Sequence, residues 1–329
     1  MLTIRSSRVF ACALTIISSG AMAQTPARGA YPVKPVRIMV PFPAGGAFDI
    51  AARAVAQKLS EALKYQFVVD NRAGGGGTVG TQTVARAAPD GYTLLLGGAG
   101  GMVINPLLMA NLPYDPVKDF APISLLATNP TLLVVHTSVP VSSVKELIAY
   151  AKTRPGALSY ASAGQGSPVH IGMELFKSMT DTNMVHVPYK GAVPAVTDLL
   201  AGQVQLMFNT MPTTLPHVKS GKLKALAVGS TQRSRLVPEL PTVAEAGVPG
   251  FQAETWFGLF APTATPQNII GVLNSQVVRI LEDRDLSQNL VNQGSEPQSS
   301  TPEKLAQYMR EDSARWGKVI RSIGIKAEE

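Results

Sequence analysis

The segment SAGQGSPVH, from Ser162 to His170, combines residue types that could break a bond with residue types that could hold an anion. Ser167 and His170 are one helical turn apart, which is a spacing that could serve a nucleophile and its base. The glycines before Ser167 would instead let the backbone approach a ligand and present the free N–H groups of a helix start. The segment therefore predicts either a nucleophilic site or an anion site.

The hydrolase interpretation finds little support elsewhere in the chain. A nucleophilic serine needs an oriented base and an oxyanion hole, yet no Gly-x-Ser-x-Gly turn occurs and the chain has only 4 histidines. A histidine in a first helical turn is more readily explained by packing or hydrogen bonding than by catalysis. A secreted serine hydrolase using Ser167 and His170 stays as the alternative to a non-enzymatic binding protein.

A second glycine loop, PFPAGGAFD from Pro41 to Asp49, follows the first predicted strand. In open parallel sheets, ligands bind beyond the carboxyl ends of the strands, where loops lead into helices. Two opposed helix starts could hold a dianion without an arginine, because each dipole contributes ~0.3–1 kcal/mol at exposed sites and up to ~2 kcal/mol in partly buried ones. Either loop alone could also be an ordinary turn, with Ser167 or Asp49 as a helix cap.

Nucleotide and metal sites are not predicted. Gly75, Gly77 and Gly80 satisfy G-x-G-x-x-G before a helix, but the next strand ends in glycine where a ribose-binding acid would stand. This pattern indicates close packing of a helix start. The histidines show no paired ligand spacing along the chain: His136, His170, His186 and His217. We expect no cofactor and no metal.

The first residues predict export. Arg5 and Arg8 precede an apolar run over Val9–Ile17, and the small residues Ala21 and Ala23 form a cleavage site. We therefore predict a signal peptide over residues 1–23 and a periplasmic location, because the run is far shorter than the ~20 residues of a membrane-spanning helix. The only cysteine, Cys12, lies in this leader, so the exported chain has no disulfide.

Composition and length limit the classes of binding partner and predict the number of domains. The formal net charge is +7 and aromatic residues make up 6% of the chain, with no run of like charges, so nucleic-acid binding is not expected. A modest positive field favours small anions instead. About 300 exported residues exceed what one core usually fills, which predicts two domains.

The order of the elements predicts an α/β fold. Apolar runs alternate with helical periodicity, first from residue 36 to 97 and again from residue 132 to 209, which is typical of parallel sheets covered by helices. The predicted helices include 47–63, 78–88, 142–153, 168–179, 193–200, 266–281 and 302–323. The last two have no sheet of their own, so we place them on the first domain. Lobe 1 is then 30–127 with 251–329, lobe 2 is 128–250, and two strands cross between them.

A family resemblance rests on many sequence blocks in one order. The chain resembles the Bug-type (TctC-like) extracytoplasmic solute receptors of tripartite tricarboxylate transporters. The blocks include YPVKPVRIMVPFPAGG (31–46), NRAGGGGTVG (71–80), PDGYTLLLG (89–97), YDPVKDFAPIS (114–124), SAGQGSPVHI (162–171), HVPYKG (186–191), LPTVAEAGVPGF (240–251) and WFGLFAP (256–262).

The resemblance implies a two-lobed, type II-like periplasmic binding protein that closes on a small organic carboxylate in the cleft between its lobes. It also implies delivery to integral membrane subunits of a transporter, by a receptor that we expect to be monomeric; a sensor protein as recipient stays open. The ligand-binding positions carried over from the family are Phe42, Ala44, Gly45, Gly46, Asp49, Ser162, Gly164, Gly166, Ser167, His170 and Asn209.

Three positions depart from the family pattern. Ala44 stands where a second proline is usual, Phe48 is large where small polar residues are common, and Asn209 often appears as aspartate. Phe48 would shrink the pocket or favour an apolar ligand, and Asn209 would repel an anion less than aspartate does. Ligands in the family vary, so the resemblance does not identify the carboxylate.

Overall fold

A computed structural model describes residues 31–324 of the chain. The predicted signal peptide, residues 1–23, lies outside the described residues. Two sheets share one long strand, β4, which runs from Phe120 to His136. Its first part pairs with strands of the first sheet and its second part with strands of the second sheet. The chain therefore forms two α/β halves that are joined through β4.

The first sheet is parallel at one side and antiparallel at the other. β1 lies between β2 and β3 with parallel pairing, whereas β9 pairs antiparallel with both β3 and β4, and the short β10 adds to β4. The strands other than β4 are β1 (Val36–Val40), β2 (Phe67–Asn71), β3 (Thr93–Gly98), β9 (Glu254–Pro262) and β10 (Glu296–Pro297).

The second sheet repeats this mixed pattern. β5 pairs parallel with β6 and β7, and β4 pairs antiparallel with β7 and β8. The strands are β5 (Ser159–Ser162), β6 (Val185–Pro188), β7 (Leu206–Thr210) and β8 (Leu223–Val228). β9 begins at Glu254, which pairs with Pro130 next to the point where β4 changes sheets. The start of β9 therefore lies beside the point where β4 crosses between the sheets.

Helices cover the sheets and supply the cores. Their bounds are α1 (Ala47–Leu63), α2 (Thr78–Ala85), α3 (Asn105–Leu108), α4 (Val144–Lys152), α5 (Pro168–Thr180), α6 (Ala192–Leu200), α7 (Met211–Lys219), α8 (Gln267–Glu282), α9 (Arg284–Asn292) and α10 (Pro302–Ile323). The C-terminal α8 and α10 pack on the first sheet, as their lack of a sheet predicts. None of the helices within residues 31–324 is long and apolar enough to cross a membrane.

Helices with strong local signals match their predictions. The bounds predicted for α1 and α10 are confirmed, and Ser143 caps α4 by accepting the Glu146 N–H at 3.2 Å. The predicted helix 78–88 is wrong at its end, because α2 stops at Ala85. The first part of β4 and the elements β8, α7 and α9 were not predicted. The lobe boundaries 30–127, 128–250 and 251–329 stay a prediction.

Candidate functional site

Four helices begin around one small cavity of about 60 Å³, which we call the helix-start cavity. The starts of α1 and α5 face it from the two predicted glycine loops, and the starts of α6 and α7 complete the wall. The lining residues are Phe42, Pro43, Gly46, Ala47, Phe48, Ala163, Ser167, Pro168, Val169, Ala192, Val193, Asn209, Thr210 and Thr255. No charged side chain is among them.

Three of these four helix starts have no side-chain cap among the described residues. Gly46, Gly191 and Thr210 precede α1, α6 and α7 without accepting a first-turn N–H through a side chain. First-turn N–H groups have no partner within their own helix, so they remain available to an acceptor in the cavity. Their positive dipole ends all favour negative charge at the same place. The geometry suits a carboxylate.

Asp49 organises the first loop without entering the cavity. Its carboxylate accepts the Gly45 N–H and the Arg53 Nε–H, both at 2.9 Å. Burial acts to raise the pKa of Asp49, but the hydrogen bonds from Arg53 and Gly45 outweigh it and hold that pKa below its ordinary value. Arg53 therefore offsets part of the charge of a buried carboxylate that lies in the first turn of α1.

A second cavity, of about 300 Å³, lies next to the first, and we call it the glycine-loop cavity. Phe42 and Ala163 belong to the walls of both cavities. The other lining residues are Gly74, Gly75, Gly76, Gly77, Asn105, Leu108, Met109, Gly164, Gln165, Gly166, His170, Pro188, Tyr189 and Lys190. This volume is within the ~300–1,000 Å³ that is usual for small-molecule sites, whereas the helix-start cavity is far smaller.

The geometry around Ser167 is that of a helix cap. The Ser167 hydroxyl donates to the Gly164 carbonyl at 2.7 Å and accepts the His170 backbone N–H at 3.4 Å. The His170 ring uses Nδ1 to accept the Gly166 N–H at 3.2 Å, so the imidazole does not activate the hydroxyl. A different serine, Ser162, bonds to Nε2 of His186 at 2.7 Å, but Ser162 is fully buried and lines neither cavity.

The structure distributes the predicted ligand positions over the two cavities. Gly46, Ser167 and Asn209 line the helix-start cavity, and Gly164, Gly166 and His170 line the glycine-loop cavity. Phe42 contributes to both. Ala44, Gly45, Asp49 and Ser162 lie outside both walls. The set as a whole stays a prediction.

Several wall residues were missed from the sequence. Asn105 and the start of α6 carry no local motif, so only the tertiary structure places them at the cavities. The glycines that resemble a nucleotide motif did carry a signal. A Cβ at Gly80 would lie 2.7 Å from Pro41 Cα, which is the close packing that the sequence suggested, while Gly75 and Gly77 line a cavity. No group of three potential metal ligands occurs within residues 31–324.

The architecture and the converging helix starts are those of a solute-binding protein. A sequence model of the "Tripartite tricarboxylate transporter family receptor" matches residues 51–325. BugT of Bordetella pertussis is 37% identical over 321 residues, covering 97% of this chain and 98% of that protein. The chain belongs to the tripartite tricarboxylate transporter receptor family, which confirms the resemblance.

Solved structures agree with this assignment. Rpa4515 of R. palustris, solved with adipate, is 38% identical with a TM-score of 0.89, covering 91% of this chain and 100% of that one. MatC of Rhodopseudomonas palustris, solved with bound malate, is 35% identical with a TM-score of 0.84, covering 88% and 100%. The periplasmic binding protein fold is thereby confirmed. The family is one of extracytoplasmic receptors and not of enzymes, so the hydrolase alternative was wrong.

Proposed function

We propose that this protein captures a small organic carboxylate in the periplasm, with the carboxylate group seated in the helix-start cavity. The observation that carries the proposal is the meeting of four helix starts at one uncharged cavity, three of them without side-chain caps. The adipate in Rpa4515 and the malate in MatC support a carboxylate as the ligand class. We assign the predicted positions that line the two cavities to contacts with this group or with the rest of the ligand, namely Phe42, Gly46, Gly164, Gly166, Ser167, His170 and Asn209.

The family supports a proposal for the recipient of the ligand. A receptor of a tripartite transporter hands its solute to integral membrane subunits that are separate chains, and we propose this role for a monomeric, exported form of the chain. Uptake of the bound acid by cells with and without this protein tests the role. Loss of uptake without the protein is the expected result. Unchanged uptake would favour the alternative, in which the ligand-bound receptor acts on a sensor protein.

A single backbone donor can be removed to test the site. Ala47 is the first residue of α1 and lines the helix-start cavity. Proline is well tolerated at a first helical position, and the extended Gly46 before it (φ −81°, ψ 169°) is compatible with a following proline. Ala47→Pro removes one N–H and fills its place, so we expect carboxylate affinity to fall by about tenfold or more at nearly unchanged stability.

The matched control is Gln267→Pro, at the exposed first position of α8 and away from both cavities. Calorimetric titration of the ligand-free protein with mono-, di- and tricarboxylates measures affinity, and thermal unfolding measures stability. Gln267→Pro should bind as the wild type does. Equal affinity of Ala47→Pro and the wild type would place the carboxylate elsewhere, and no binding of any acid by the wild type would contradict the proposed function.

A further inference from the structure

The glycine-loop cavity contains two buried side chains that each leave one polar atom without a partner. The helix-start cavity has room for a carboxylate group and little more, and Phe42 and Ala163 line both cavities, so we place the remainder of the ligand in the glycine-loop cavity. The inference below rests on the proposed function, because it concerns the far end of the same ligand.

Asn105 supplies a free acceptor. The residue is 2% exposed, and its Nδ2 donates to the Gly76 carbonyl at 3.4 Å and to Thr78 Oγ1 at 3.2 Å. A carbonyl can only accept, so the amide nitrogen must face Gly76 and the orientation of the side chain is determined. Within residues 31–324, Oδ1 has no hydrogen-bond donor. A Cβ at Gly166 would lie 3.5 Å from this oxygen, so Gly166 leaves the space in front of it open.

His170 supplies a free donor. The residue is 4% exposed, and its Nδ1 accepts the Gly166 N–H. A neutral imidazole whose Nδ1 is an acceptor carries its proton on Nε2. Burial, with a smaller contribution from His186, lowers the pKa of His170 to about 4, which keeps the ring neutral near pH 7. In the described part of the chain, Nε2 has no hydrogen-bond partner.

Asn105 comes from the first α/β half and His170 from the second, and both adjoin Gly166. One offers a lone pair and the other an N–H to the same cavity. We propose that the glycine-loop cavity binds a neutral group of the ligand that both donates and accepts hydrogen bonds, namely a hydroxyl or a carboxamide. A carboxylate there would place an acceptor against Asn105 Oδ1, and a methyl group would leave both polar atoms unpaired.

A matched set of acids tests this selectivity in the wild-type protein. We would titrate 6-hydroxyhexanoate, adipamate, hexanoate and adipate, together with their shorter homologues, by calorimetry. We expect the hydroxyl-ended or carboxamide-ended acid to bind at least about tenfold tighter than the methyl-ended acid and the dicarboxylate of the same length. Equal or tighter binding of the methyl-ended acid or the dicarboxylate would contradict the subsite and leave the proposed function standing. No binding of any acid would contradict both.

A variant then assigns the selectivity to the named side chain. His170→Phe keeps a flat ring next to His186 and removes the Nε2 donor, together with the Nδ1 acceptor of the Gly166 N–H. We expect the preference for the hydroxyl-ended over the methyl-ended acid to fall by about tenfold, with binding of the methyl-ended acid retained. The control is His217→Phe in the last turn of α7, which lines neither cavity and should keep the wild-type preference. An undiminished preference in His170→Phe would remove His170 from the subsite.

Discussion

His170 and His186 form a stacked pair of buried rings at the edge of the candidate site. Their centroids are 4.0 Å apart, and the Tyr160 ring stacks on His186 at 4.8 Å. Glu174 and Lys177 adjoin the cluster, where Glu174 accepts from both the Tyr160 hydroxyl and Lys177. Burial lowers the pKa of both imidazoles to about 4. Two adjacent neutral rings can stack closely, whereas two imidazolium ions would repel each other.

This pair makes stability depend on pH in a defined window. Unfolded histidine has a pKa near ~6.5, so between about pH 6.5 and 4 the unfolded chain binds protons that the folded chain does not, and acidification favours unfolding. The stabilisation is complete above about pH 6.5 and is lost as pH falls to 4. For His170 alone it is on the order of 3 kcal/mol. Urea unfolding at a series of pH values measures it.

His170→Phe should flatten this part of the pH profile, and His217→Phe should retain the wild-type slope. A wild-type free energy of unfolding that does not change between pH 6.5 and 4 would show that the rings take up protons in the folded protein at the same pH as in the unfolded chain.

At the scale of elements, the start of α5 differs from the other three helix starts because it has a side-chain cap. Ser167 accepts the His170 N–H, whereas α1, α6 and α7 begin without such a bond within the described chain. The capped start holds the loop in place through the Gly164 carbonyl, and the uncapped starts leave donors for the ligand. Ser167, whose position suggested a nucleophile, therefore acts as the cap of α5.

Ser167→Ala should cost about 1 kcal/mol of stability, as the loss of a helix cap does. Carboxylate affinity should fall by less than about tenfold, because the N–H groups of three helix starts remain. Ser143→Ala removes the corresponding cap of α4, which lies outside both cavities, and should change stability alone. Urea unfolding and calorimetry measure the two quantities. A loss of affinity beyond about a hundredfold would mean that the Ser167 hydroxyl binds the ligand directly.

At the scale of the whole molecule, loops from the two α/β halves touch across the site. A Cβ at Gly76 would lie 3.1 Å from the Gln165 carbonyl oxygen, and one at Gly191 would lie 2.7 Å from Pro43 Cδ. Both positions have positive φ, +60° and +127°, so glycine serves conformation and close approach at once. β4 continues from one sheet into the other beside the start of β9, and we predict that the two halves open about this point.

Gly76→Ala should hinder closure, because its methyl group would meet the Gln165 carbonyl of the opposite half. We expect weaker carboxylate binding and a larger radius of gyration by small-angle X-ray scattering with saturating acid. Gly156→Ala is the matched control, since Gly156 has a similar φ of +77° and nothing within 4 Å of an added Cβ. The same behaviour in both variants would attribute the effect to backbone strain and not to contact between the halves.

Local patterns in the sequence determined several helices, their caps and the two glycine loops. The helical periodicity of α1 and α10 depends on residues that are close together in the sequence. The caps of α4 and α5 and the two glycine loops are local in the same way. Each depends on contacts within a few positions, so each can be derived without the fold. The blocks that carry the family resemblance are also short stretches of the sequence. The α/β class and the receptor function were predicted on this basis and are confirmed.

The tertiary structure alone decided the rest. The first part of β4 contains Pro122 and Pro130 and lacks a clear alternation, because it is held as a strand by its pairing with β9, which is distant in sequence. Histidines that show no ligand spacing along the chain become a stacked pair. Asn105 and His170 meet one cavity only because two sheets bring their loops together. Such contacts join residues that are far apart in the sequence and depend on burial in the folded protein, so a short stretch of sequence does not reveal them.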